Sequence, residues 1–125
     1  MNCSDRELKK DGVSKTHSKT AGEKFDSGKQ SWYYLPLTML KPLADVYMAG
    51  VNKGYPPFNC LLPFDDGDRR LYDAMIRHIE ASQIDPLAVN DEDGGVYHLA
   101  QVAFSALTRL HNAIHHGGGN GDKDL

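Results

Sequence analysis

Charged, imidazole and glycine residues recur in this chain at positions that a plain helical bundle would not need. Most lie in two stretches. One is Lys24-Phe25-Asp26-Ser27-Gly28-Lys29, followed by Trp32 and Leu35-Pro36. The other is Arg77-His78-Ile79-Glu80, followed by an acidic turn, Asp91-Glu92-Asp93-Gly94-Gly95, and then His98. Two imidazoles beside carboxylates can supply a divalent metal site. Imidazole suits Mn, Fe, Co or Zn, and a carboxylate-rich site suits Mg. The pattern points to a polar pocket that holds an anion through such a metal.

Each of these groups also has a plainer role. His78 falls on the apolar side of its helix, where a lone histidine is commonly structural and satisfied by one hydrogen bond. The acidic turn can be a solvated loop. It can equally be a ligand loop, because glycines tolerate positive φ and let backbone fold tightly around an ion or phosphate. No HExxH zinc motif and no EF-hand spacing occurs. Arg70 and Arg77 can pair with Asp73 and Glu80 at helical spacing, each contact contributing only about 0.2–0.5 kcal/mol. They can instead clamp phosphate, since guanidinium is planar, bidentate and always charged.

Gly28-Lys29 is not a Walker phosphate loop. Five residues rather than four separate Gly22 from Gly28, Gln30 stands where Ser or Thr would hold magnesium, and no strand precedes it. Lys29 beside a flexible glycine can still reach a phosphate. Nucleophilic catalysis finds no support. There is no GxSxG, and Cys60 sits among apolar neighbours without a flanking base.

The elements that must position these groups read as helices. Leu40, Leu43, Ala44, Tyr47 and Val51 form an apolar stripe on a helix over 38–53, with Pro42 in its first turn. Residues 55–67 carry three prolines and a glycine and read as a loop. Asp68 opens a second helix over 68–83, whose core face is Leu71, Ala74, Met75, His78 and Ile79. Arg70, Asp73, Arg77 and Glu80 make its polar stripe. A loop over 84–95 bears Asp85, Asp91, Glu92 and Asp93. A third helix over 96–115 has Leu99, Ala103, Ala106, Leu107, Leu110 and Ile114 as its expected core face. His98, Gln101, Ser105, Thr108 and Asn112 form a continuous polar stripe on the same helix. No alternating run is long enough for a sheet. The expected fold is therefore all-α, a small bundle of about three main helices with long irregular loops.

With 125 residues the chain allows one domain. Residues 1–23 read as a polar, flexible tail, 24–116 as the helical domain, and 117–125 as a second flexible tail. His115 and His116 precede that tail as ligands or as decoration. The net charge of −3 gives no general attraction to nucleic acid or anionic membrane. No apolar run is long enough to span a bilayer, and no apolar leader is expected from the N-terminal residues. Cys3 and Cys60 make neither a disulfide framework nor a CxxC site, so a cytoplasmic protein with reduced thiols is expected. A core this small leaves a homodimer open.

From Lys24 to about Leu110 the chain resembles the dATP/dGTP diphosphohydrolase N-terminal domain family, small proteins common in bacteriophage genomes. The K-[YF]-D-x-G-K box is matched by Lys24 to Lys29. Trp32 and Leu35-Pro36 follow, then Gly50, Lys53 and Tyr55 as a loose match to a G-A-x-K-Y segment. Asn59-Cys60 stands for an Asn-Trp pair, Arg77-His78 for an Arg-His pair, and Asp91, Asp93, Gly95 and His98 for D-x-E-x-G-x-x-H. Asp93 replaces a Glu, Gln101 a second His, and Ser105 an Asn.

The resemblance implies hydrolysis of a purine deoxynucleoside triphosphate to the monophosphate and pyrophosphate. It implies a divalent metal, Mg or Mn, that neutralises phosphate and lowers the pKa of an attacking water. Cationic side chains would hold the oxygens where charge grows. On these residues it implies Glu80 and Asp93 as catalytic groups and Lys29, Arg70 and Arg77 as phosphate ligands. His78, Asp93 and His98 would be metal ligands. The expected partner is a deoxynucleoside triphosphate, with no membrane and no specific nucleic acid, in the host cytoplasm if the chain is phage-encoded. A non-catalytic accessory protein that keeps the fold and binds a nucleotide or protein is the competing expectation.

Overall fold

The computed structural model describes residues 21–117. The expectations for most of the two tails lie outside them. The chain divides between Leu35 and Pro36 into two compact units.

In the first unit the Lys24–Lys29 box is a turn. Lys29 N–H donates to Asp26 O at 3.1 Å, and Gly28 has φ of +85°. A side chain at Gly28 would be strained in that backbone, so the box needs its glycine. A short 3₁₀ turn follows over Trp32–Tyr34. Lys24, Asp26, Lys29, Gln30 and Trp32 line an open concavity within this unit.

The second unit is built on three helices: α1 (Lys41–Asn52), α2 (Gly67–Ile84) and α3 (His98–His116). Chain order and number agree with the all-α expectation. A 3₁₀ turn, Leu37–Leu40, leads into α1, and Pro42 occupies its first turn, where a missing N–H costs nothing. Lys53 N–H closes α1 onto Ala49 O and Gly50 O, and Gly54 at φ +108° turns the chain away. A further 3₁₀ turn spans Asn59–Leu61. Asp66, at φ +55°, precedes α2 and pairs with Arg69, which also reaches Asp73 at 2.9 Å.

A small hairpin, absent from the helical reading, lies between α2 and α3. Strand β1 (Val89–Asn90) pairs antiparallel with β2 (Val96–Tyr97), Val89 opposite Tyr97 and Asn90 opposite Val96. Val96 and Tyr97 therefore form a strand instead of starting the third helix. Two residues per strand leave no alternation to detect. The acidic turn is the hairpin's tip. Asp91–Asp93 form a 3₁₀ turn, and Gly94 and Gly95 take φ of +80° and +83°. Asn90 caps the turn by accepting Glu92 N–H, and Gly95 N–H donates to Asn90 O at 2.8 Å.

The apolar centre is small. Val46, Val96 and Ala100 are buried together, with Ala49 and Phe104 packed against them. Tyr47 and Phe104 meet edge to face at 5.2 Å. Helix α1 thus buries a face centred on Val46, with Leu43 and Ala49 half-buried, while Ala44, Tyr47 and Val51 of the expected stripe are exposed. Helix α2 turns inward the face expected: Leu71 is buried and Ala74, Met75, His78 and Ile79 are half-buried.

Helix α3 is reversed. The polar stripe Gln101, Ser105, Thr108 and Asn112 is buried. Leu99, Ala103, Ala106, Leu107, Leu110 and Ile114, expected in the core, are exposed. Polar links across α2 and α3 hold this orientation. His78 meets His98 near one end, and Arg109 Nε donates to Asp68 Oδ1 at 2.8 Å toward the other. Small hydroxyl side chains between them suit close helix contact. Thr108 satisfies itself by donating to Phe104 O at 2.7 Å. No helix among the described residues is long and apolar enough to cross a membrane.

Candidate functional site

Three elements of the second unit converge on one polar cluster. Helix α2 supplies His78, the first residue of α3 supplies His98, and the hairpin tip supplies Asp93. The hairpin fixes His98, because its N–H donates to Ala88 O at 3.0 Å just before the helix begins. His78 Nδ1 and His98 Nδ1 stand 2.8 Å apart, their rings tilted at 5.1 Å between centroids. One ring must donate and the other accept. Their Nδ1 atoms share a single proton, so the pair can carry one positive charge while a second would break the bond. Burial pushes the His78 pKa below its usual value, and the charges of His98 and Arg77 push it further, against the pull of Asp93.

Asp93 is enclosed by donors. Lys53 Nζ donates to Oδ1 at 2.7 Å; Gln101 Nε2 donates to Oδ2 at 2.8 Å and Asn90 Nδ2 to the same oxygen at 3.2 Å. Asn90 also donates to Gln101 Oε1 at 3.2 Å. The Lys53 hydrogen bond lowers the Asp93 pKa most, aided by Gln101 and by the charges of Lys53 and His78. Sequence reasoning gave Lys53 and Gln101 no role at the site and left Asn90 out. The signals that could have found them were Lys53 beside Gly54 at a helix end, and Asn90 at the position that caps the acidic turn.

The remaining predicted residues lie apart from this cluster. Glu80 is two residues beyond His78, which is about 200° around the helix, and is exposed. Arg77 is exposed beside His78 and acts on it through its charge. Arg70 lies two turns earlier, over the Phe64 ring at 5.1 Å, with Nη1 donating to Asp65 O at 3.4 Å. Asp73 pairs with Arg69 and not with Arg70. Lys29 belongs to the first unit. Burial pushes the Cys60 thiol up, which disfavours the thiolate a nucleophile would need.

The donor set does not make a metal cradle. His78 and His98 use their Nδ1 atoms on each other, and both Asp93 oxygens already accept hydrogen bonds. Among the described residues no group of three or more His, Cys, Asp or Glu side chains is placed to hold an ion. Of the three predicted ligands, His78 and His98 bond each other while Asp93 bonds Lys53, Gln101 and Asn90, which leaves each imidazole Nε2 for other chemistry.

An imidazole pair sharing one proton, bordered by a fixed carboxylate and an arginine, can accept or deliver a proton. The chain belongs to the dATP/dGTP diphosphohydrolase, N-terminal family, whose model matches residues 19–122. No curated protein and no solved structure matches the chain.

Proposed function

We propose that this domain hydrolyses a purine deoxynucleoside triphosphate to its monophosphate and pyrophosphate, with the His78–His98 pair as the proton-transfer centre. The 2.8 Å contact between the two Nδ1 atoms carries the reading. Water attacks the α-phosphorus, the bond to the oxygen bridging to the β-phosphorus breaks, and that oxygen leaves with the electron pair as pyrophosphate. The water proton passes to an imidazole Nε2 of the pair. With His78 held neutral by burial, a basic nitrogen is present at neutral pH. Arg77 and, farther along α2, Arg70 offer guanidinium groups to phosphate oxygens. The divalent metal that phosphate chemistry asks for arrives with the substrate, as the Mg or Mn complex of the triphosphate.

The enclosure of Asp93 favours a second reading. A carboxylate with both oxygens engaged by donors is a poor base, which suits a domain that binds a nucleotide or a protein without turning substrate over. One assay separates the two. Purified chain is incubated with each deoxynucleoside triphosphate and Mg or Mn, and pyrophosphate is measured. Release with dATP or dGTP that falls at least tenfold in His98→Gln supports the first reading. Absence of release from folded protein, with melting raised by nucleotide, selects the second.

A further inference from the structure

Helix α3 carries its most apolar face outward. Leu99, Ala103, Ala106, Leu110 and Ala113 recur at alternating spacings of four and three, the a/d pattern of a coiled-coil seam. All five are exposed, and Leu107 and Ile114 widen the stripe. The large side chains are open: Leu99 46%, Leu107 48%, Leu110 57% and Ile114 66%. No seam residue is charged. The nearest charge, Arg109, is turned to Asp68 and to the Tyr72 ring.

We infer that this face of α3 is a self-association surface that seats the same face of a second copy of the chain. Self-association through this face is independent of the proposed catalysis. A charge-free seam offers nothing to steer an acidic or basic partner, a nucleic acid or a phosphate. It is instead complementary to itself. Antiparallel pairing sets Leu110 of one copy over Ala106 of the other, a large side chain on a small one, and Ala103 against Ala113, two small ones that let the helices approach closely. Two such faces bring together on the order of 1,000 Å², the lower bound for a specific interface. The need is equally plain from within. Among the described residues only Val46, Leu71, Val96 and Ala100 are buried apolar side chains, a core too small for the apolar surface the helices carry.

Light scattering coupled to size exclusion on the full chain tests this. The expected mass is twice the 13.9 kDa of one chain, falling to one chain in Leu110→Glu with helical circular dichroism retained. A wild-type monomer at every concentration overturns the inference, whatever else covers the face. So does a Leu110→Glu variant that stays dimeric, since the interface would then lie elsewhere. Should the glutamate variant lose its helical signal, Leu110→Ala carries the test. Its dimer dissociation constant should rise about tenfold or more, and an unchanged value overturns the proposal.

Discussion

Lys53 Nζ lies 2.7 Å from Asp93 Oδ1, tying the last turn of α1 to the tip of the acidic hairpin across forty residues of sequence. The contact fixes the loop just before His98, and so sets where the imidazole pair can form. It is an ion pair with one half-exposed partner: Lys53 is 50% open and Asp93 22%. Solvent screens such a pair, and its Coulombic worth alone is modest.

Asp93→Asn should therefore act mainly through the hydrogen bonds. The amide cannot accept from Lys53, Gln101 and Asn90 as the carboxylate does. A loss of about 1–2 kcal/mol is expected, seen as a lower denaturation midpoint at unchanged m-value. The sign with pH follows from the lowered pKa. Folded Asp93 holds its proton less tightly than unfolded Asp93. Its contribution is full above the unfolded carboxyl value, and it is lost as pH falls through the lower folded one. The acid limb of the stability curve should flatten in Asp93→Asn. An unchanged limb would show that the network does not form.

The histidine pair adds a second acid-sensitive step, nearer neutrality. The pKa of His78 is lowered from the ordinary 6.5 by burial first, then by His98 and Arg77. The unfolded chain thus binds more protons than the folded one between the lowered value and 6.5. Stability should rise with pH across that window and be lost as pH falls through it. His98→Gln removes the like charge, so the His78 titration followed by NMR should move upward toward 6.5. A His78 midpoint at or above 6.5 in the wild type would contradict the burial and the pairing.

How far the sequence could lead differs by element. For α2 the inward face was readable, because its apolar and polar stripes are cleanly separated and Leu71 anchors one of them. For α3 the periodicity located both stripes and pointed the wrong one inward. Hydrophobic pattern assumes that apolar side chains seek the core of a single copy. It says nothing of His98 and Arg109, whose partners on α2 fix the helix rotation. The meeting of His78 with His98 was legible as one imidazole on the inward face of α2 and another opening the next helix. The enclosure of Asp93 was not, since Lys53 and Gln101 approach from different helices. The hairpin was invisible because two-residue strands carry no period.

Arg109 and Asp68 offer a test of that rotation. Both side chains are about one-third exposed and meet through Nε at 2.8 Å and Nη2 at 3.3 Å. Asp68 also sits in the first turn of α2, where a carboxylate complements the helix dipole. Asp68→Asn should cost about 0.5–1.5 kcal/mol, the pair and the dipole contribution together after solvent screening. Combined with Arg109→Met, the loss should be smaller than the sum of the single losses. Strict additivity would mean that the two residues do not touch.

Asn112 gives the sharpest test of the reversed α3. Its side chain is fully buried, and neither amide atom finds a hydrogen-bond partner among the described residues. A buried, unsatisfied amide costs roughly 1–3 kcal/mol in lost hydration. Asn112→Leu keeps the branched shape and removes both polar atoms. It should raise the melting temperature, with a gain of about 1–2 kcal/mol once the strain of extra volume is set against recovered desolvation. The same exchange on an exposed polar stripe would leave melting nearly unchanged and would reduce solubility. Leu110→Gln, on the opposite side of the helix, should leave the monomer's stability within about 0.5 kcal/mol, as exposed positions do. If Asn112→Leu is neutral and Leu110→Gln collapses the fold at concentrations where the chain is monomeric, α3 faces the other way.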